Sequence, residues 1–281
     1  MAWARRDLGW GVGLVCLVTC LGGSSARAAD PTCVADGVAL FPVPGSVVPV
    51  NVQWLLEGEG AEQARVSELV GNDAVALIER DGSTAVQVKV EKGWVSQVKR
   101  VAVRLKPARA LKPDTTYTLA FGKALAGAHL LNDTLGDGTL QWTTGPGPDK
   151  DAPRYRSKPA VAEGRYVPGD PDPVLRQLRL RLEVEDKSST YLLITLQRMR
   201  GSTLKQQYPV PVDGDSALMG HDGCSGTFGW EDGRAYRLQF ELFDSAGNRN
   251  SERLSLEVSA PRPSKAQLQQ RDQEREQQQA R

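Results

Sequence analysis

The sequence predicts an all-β protein made of two tandem antiparallel β-sandwiches. Three observations predict it. Apolar and polar residues alternate at period two through both halves, Gly and Pro punctuate these runs at short intervals, and no long helical periodicity interrupts the body. The length of 281 residues suits one or two domains, two being favoured at the usual domain size. With 35 Lys+Arg against 34 Asp+Glu there is no field to attract nucleic acid and no polybasic patch for a membrane surface.

Residues 1–28 read as a signal peptide. Arg5 and Arg6 form a positive start, Leu8 to Gly23 is apolar and uncharged, and Ala26-Arg27-Ala28 is an A-x-A site with cleavage expected after Ala28. The apolar stretch is short for a membrane span and rich in Gly. Leu17-Val18-Thr19-Cys20 has the outline of a lipobox with an ill-fitting Thr, and Arg5-Arg6 that of a twin-arginine signal without its full pattern. Removing the segment leaves the net charge near zero and no further apolar run long enough to span a bilayer, so the expected mature chain has no transmembrane segment. The expected location is exported: periplasmic, cell-surface or extracellular.

The strands follow in order. Val86, Val88 and Val90 alternate with Gln87, Lys89 and Glu91, and Val101, Val103 and Leu105 with Ala102, Arg104 and Lys106. Tyr117, Leu119 and Phe121 form a third apolar set. Leu178, Leu180, Leu182 and Val184 alternate with Arg179, Arg181, Glu183 and Glu185; Tyr236, Leu238, Phe240 and Leu242 repeat the pattern, and Leu254, Leu256 and Val258 close it. One apolar and one charged face is the mark of an antiparallel sheet packed on one side. Asp81-Gly82 reads as a tight hairpin turn. Ala61 to Val70, ending at Gly71, reads as a short helix.

Composition sets the boundaries. Residues 148–153 belong to a polar, proline-stiffened stretch, Gly145 to Pro153, that reads as an inter-domain linker between sandwiches at 32–147 and 154–260. Residues 261–281 hold many Gln and charges and one large apolar residue, Leu268, so they read as a disordered or frayed-helix tail, dispensable for folding.

Several short motifs carry a resemblance. Leu111-Lys112-Pro113-Asp114-Thr115-Thr116-Tyr117 has the form L-x-P-x-T-x-Y, which resembles the tyrosine corner opening strand F of immunoglobulin-like and fibronectin III sandwiches. Pro44 to Asn51, Thr143-Thr144-Gly145 and Asp149 to Pro153 resemble the opening, closing strand and following linker of bacterial Ig-like domains of the surface-layer (SbsA) type, over about residues 32–147. Residues 57–100 depart from that pattern. In the second half the resemblance is looser. Tyr236 after Gly233 supplies a second corner, and Asp244-Ser245-Ala246-Gly247-Asn248 is similar to the D-x-A-G-N turn before the last strand of many bacterial Ig-like repeats. The resemblance implies two tandem immunoglobulin-like antiparallel β-sandwiches, with Tyr117, Leu111, Pro113 and Tyr236 as structural residues. It also implies a non-enzymatic interaction or structural protein of the cell envelope. A partner would be an envelope protein or a glycan.

The residues offer little to catalysis. His129 and His221 are the only histidines, and Gly223-Cys224-Ser225-Gly226 is not G-x-S-x-G. His221 and Cys224 lack the further ligands of a zinc site. Asp149, Asp151, Asp213, Asp215 and Asp244 with Asn248 supply the loop oxygens that calcium takes, but Asp and Asn are also ordinary turn residues, the reading preferred here. No metal and no cofactor is expected. Trp94 and Trp230 follow Gly near turns; a core or loop-anchoring role is the default reading, and stacking on sugars is the basis of an alternative reading as a carbohydrate-binding module. Cys33 and Cys224 are the cysteines left after cleavage. An oxidising compartment argues for a disulfide, whereas their positions in two extended domains argue for free thiols.

Overall fold

Alternation becomes strands with one buried face. In the computed structural model, which describes residues 36–72, 74–82, 84–133, 136, 138–169, 175–199, 205–223 and 225–279, the first half contains eight. They are β1 (Gly37–Phe41), β2 (Val47–Val48), β3 (Trp54–Glu59), β4 (Ala76–Glu79), β5 (Ala85–Val95), β6 (Arg100–Pro107), β7 (Thr116–Ala120) and β8 (Gln141–Thr144). Their order in the sheet is β1-β3-β6-β5-β4-β7-β8-β2. The expected signal peptide and both Cys33 and Cys224 lie outside the described residues.

This sheet folds over on itself at β5. The start of β5, Ala85 to Gln87, pairs with β4, and its later residues pair with β6. The register shifts between Glu91 and Trp94, where a Cβ on Gly93 would stand 1.6 Å from the Ala102 carbonyl oxygen. Only glycine lets the two backbones approach so closely. The fold brings Trp54 of β3 against Trp142 of β8, ring centroids 5.4 Å apart, although four strands lie between them in the sheet. Around this pair lie Leu40, Leu56, Leu77, Val88, Val103, Leu105 and Leu119. The expected helix is α1 (Glu62–Ser67), which buries Val66 on that core and is held by Arg65, bonded to Glu62 and to the Ala124 and Ala126 carbonyls.

The second half contains β9 (Arg154–Val167), β10 (Leu175–Glu185), β11 (Thr190–Arg198), β12 (Lys205–Pro211), β13 (Ser216–Asp222), β14 (Ala235–Asp244) and β15 (Leu254–Ser259). A three-stranded sheet, β13-β10-β9, faces a four-stranded one, β12-β11-β14-β15, and all their described pairings are antiparallel. Leu178, Leu180 and Leu182 from one and Ile194, Leu238, Phe240 and Leu242 from the other meet in one core. The fold is an all-β sandwich architecture.

Of the two forms expected for the tail, disordered chain or frayed helix, the structure has a helix, α2, over Lys265–Gln279. Its Gln, Glu, Lys, Arg and Ala residues are good helix formers. Ser264 and Gln267 close a capping box: the Ser264 N–H donates to Gln267 Oε1 at 2.8 Å, and the Gln267 N–H to Ser264 Oγ at 3.3 Å.

Candidate functional site

Some residues are buried that strict alternation would put in water. Trp54-Leu55-Leu56 and the run from Tyr191 to Leu196 are apolar on both faces of their strands. The inward sets fill the two cores. The outward ones, Leu55 from β3 and Tyr191 and Leu193 from β11, meet one another in a third cluster joined by Phe41, Trp94 and Phe243. Tyr191 stacks on Phe243 at 5.4 Å and meets the edge of Phe41 at 5.9 Å. Ala102, fully buried on β6, packs into the core of the second half. The two halves are therefore fastened face to face, and the geometry assumed for an extended tandem does not hold.

Polar contacts flank this apolar centre. Near the start of β3, the Gln53 N–H donates to the Ser245 carbonyl at 2.6 Å and its side chain to the Ala246 carbonyl at 3.2 Å. The linker is pinned as well. Asn51 exchanges two hydrogen bonds with the backbone of Asp149, at 2.8 and 2.9 Å, and Asn248 and Asn250 donate to the Asp149 and Pro153 carbonyls. Near the end of β3, the Gly226 N–H donates to the Val98 carbonyl at 2.8 Å and Gln206 to Gln97 at 2.7 Å. There Glu57, Glu59 and Arg100, half-buried, join the buried Tyr208 and Ser225 in a charged cluster drawn from both halves.

At the linker end, Asp149, Asp186 and Asp244 each place a carboxylate oxygen within 4.8 Å of the others. Asp149 and Asp244 were both among the loop carboxylates singled out from sequence; Asp186, on the turn between β10 and β11, was not. Burial, with the neighbouring Asp244 and Asp149 adding, pushes the Asp186 carboxyl up to about 6, and burial also raises that of Asp244. N–H donors already organise these groups. Asp244 accepts from the Ala246 and Asn248 backbones and from the Asn248 side chain, Asp186 from Ser188 N–H, and Asp149 from Asp151 N–H and Ser188 Oγ. The spacing suits one divalent cation, yet three carboxylates fall short of the six to eight oxygens calcium takes. Asp151 pairs instead with Lys187 at 2.9 Å, and Asp213 serves a local turn with Ser216.

The two corner tyrosines occupy equivalent places. The Tyr117 hydroxyl accepts from the Lys112 N–H at 3.0 Å, and that of Tyr236 from the Glu231 N–H at 2.9 Å. Each bond reaches five residues back, tying the loop to the strand that follows. Tyr117 also faces Glu79, a buried carboxylate paired with Lys112 at 2.9 Å. Leu111 is buried, and the Pro113 carbonyl accepts from Thr115 Oγ1.

Trp230 takes the core placement rather than that of a sugar-stacking ring. It is 7% exposed and packs edge-on against Tyr236 at 5.2 Å, because the corner draws the preceding segment into the core. Trp94 is half-buried at the junction, with the Arg104 guanidinium 5.4 Å from its ring centre. His221 hydrogen-bonds the Asp222 carbonyl, and the His129 carbonyl accepts from Val38.

Among the described residues no helix is long and apolar enough to cross a membrane. No family model matches the sequence, and no curated protein matches it. Three solved structures are similar over 79% of this chain. A type I pullulanase of Bacillus subtilis complexed with maltose shows 7% identity and a TM-score of 0.22 over 24% of its length. The N-terminal part of the bacterial S-layer protein SbsC shows 9% and 0.25 over 44%. The FN1–FN3 domains of chicken CNTN1 show 12% and 0.25 over 63%. The chain spans less than two thirds of the length of each.

Proposed function

We propose that this protein is an exported, non-enzymatic structural or interaction protein of the cell envelope, built from two Ig-like modules that act as one rigid spacer. The observation that carries the reading is the junction. Leu55, Tyr191 and Leu193 spend apolar area on fastening one half to the other, and Gln53 and Gly226 add backbone bonds across the contact. A spacer or presenting module needs a fixed geometry between its parts, whereas independent beads on a linker do not. The charged start and A-x-A site of residues 1–28 support export.

The test is to express the full chain, fractionate the cells and cross-link intact envelopes. A mature protein lacking residues 1–28 in the envelope or medium, cross-linked to envelope components, supports the reading. Recovery of the uncleaved chain in the cytosol, or turnover on a hydrolase panel by the purified protein, overturns it.

A further inference from the structure

The charged cluster at the junction holds one cation for two anions. Glu57 and Glu59 are two apart on β3, so they share a face. Arg100 of β6 pairs with Glu59 and stands 4.0 Å from Glu57. The second half closes the cluster. Ser225 Oγ donates to Glu59 and accepts from Arg100 at 3.2 Å, and the fully buried Tyr208 of β12 brings its hydroxyl near Glu57 without completing a hydrogen bond. Arg100 Nε also lacks a partner. Glu57 is thus faced by Glu59 on its own strand, Arg100 on β6 and Tyr208 on β12; β1, its other neighbouring strand, carries no charged residue. Both carboxylates ionised leave an uncompensated negative charge in a half-buried contact, where it costs more than in open water.

We propose that this cluster is an acid-tightened latch: a proton taken up by Glu57 locks the two halves together, and its loss loosens the junction. A neutral Glu57 removes the excess charge and gains an O–H donor, for which the Tyr208 oxygen is an available acceptor. Burial holds the proton more tightly than on a free glutamate, with Glu59 adding to the effect and Arg100 and the Tyr208 hydroxyl opposing it. A carboxyl raised in the folded state stabilises fully below its unfolded pKa, and that contribution is lost as pH rises through the folded pKa. The latch concerns the junction alone and holds whether or not the protein is exported.

The test compares the full chain with Glu57→Gln, which keeps the shape and stays neutral. The variant should melt about 3 °C above wild type at pH 8, and the gap should narrow as pH falls and close below the ordinary glutamate range. Amide exchange then locates the effect. Between pH 4 and 8, with the intrinsic rate divided out, protection of Gly226 should fall about tenfold in wild type and stay level in the variant. A gap of constant size, a variant less stable at pH 8, or Gly226 protection that falls equally in both proteins would overturn the latch. Should Glu57→Gln not fold, carboxyl carbon NMR of wild type decides: a Glu57 midpoint above the usual glutamate range supports the latch, and one at or below it refutes it.

Discussion

Replacing Tyr117 by Phe removes one oxygen from a position where the structure uses it twice. The hydroxyl accepts the Lys112 N–H at 3.0 Å and faces Glu79 Oε1 at 3.4 Å, and Tyr117 itself is buried. From the corner bond alone the expected loss is about 1 kcal/mol. Glu79 raises the figure. It is 4% exposed, and without the tyrosine it depends on Lys112 Nζ. The Lys112 segment has little freedom to relax, since its carbonyl is held by Thr144 Oγ1 at 2.6 Å. An unpaired, part-buried N–H therefore adds to the lost bond, and the total comes to about 2 kcal/mol. At this chain length that lowers the melting midpoint by roughly 4–8 °C. Urea unfolding should give the same loss at an unchanged slope, because the surface exposed on unfolding is the same. Tyr236→Phe serves as the internal comparison. Its hydroxyl accepts from Glu231 beside an exposed loop, with no buried carboxylate, so about 1 kcal/mol is expected. A shift below 1 °C for Tyr117→Phe, or a larger loss for Tyr236→Phe, would refute the reasoning.

Three further outcomes follow from the same geometry. Gly247→Ala should destabilise by about 1–3 kcal/mol in urea, because its φ of 89° suits glycine and an added Cβ would stand 2.3 Å from the Gln53 amide that crosses the junction; an unchanged midpoint would show that the junction yields freely. Asp186 carries a raised carboxyl, about 6, so its contribution to stability is full below the ordinary Asp range and lost as pH rises through about 6. Asp186→Asn should accordingly melt above wild type at pH 8 and not at pH 4, and equal midpoints at both would exclude the strain. Ending the chain after Ser264 removes α2 but keeps Pro261, which is buried and neighbours Gly164; the melting point should stay within about 1 °C, and a drop of several degrees would mean that the helix docks through more than its Gln267 to Tyr166 bond.

Local patterns in the chain were enough for the strands and the corners. Alternation at 86–90, 101–105, 178–184, 236–242 and 254–258 needs only a sheet with one dry face, and L-x-P-x-T-x-Y is a short-range device whose bond spans five residues. The capping box Ser264-Lys265-Ala266-Gln267 was equally local; composition obscured it, because a Gln-rich segment without an apolar face reads as tail before it reads as helix. The junction was of another kind. The runs around Leu55 and from Tyr191 to Leu196 announce strands covered on both faces, but no local rule says what covers them. Glu57 and Arg100 look like solvated strand residues until Tyr208 and Ser225, more than a hundred residues away, close over them. Asp186 reads as a turn residue until the linker and the β14–β15 turn bring two more carboxylates to it. Which outward faces meet is decided by long-range packing, since alternation specifies that a face is apolar and carries no record of its partner.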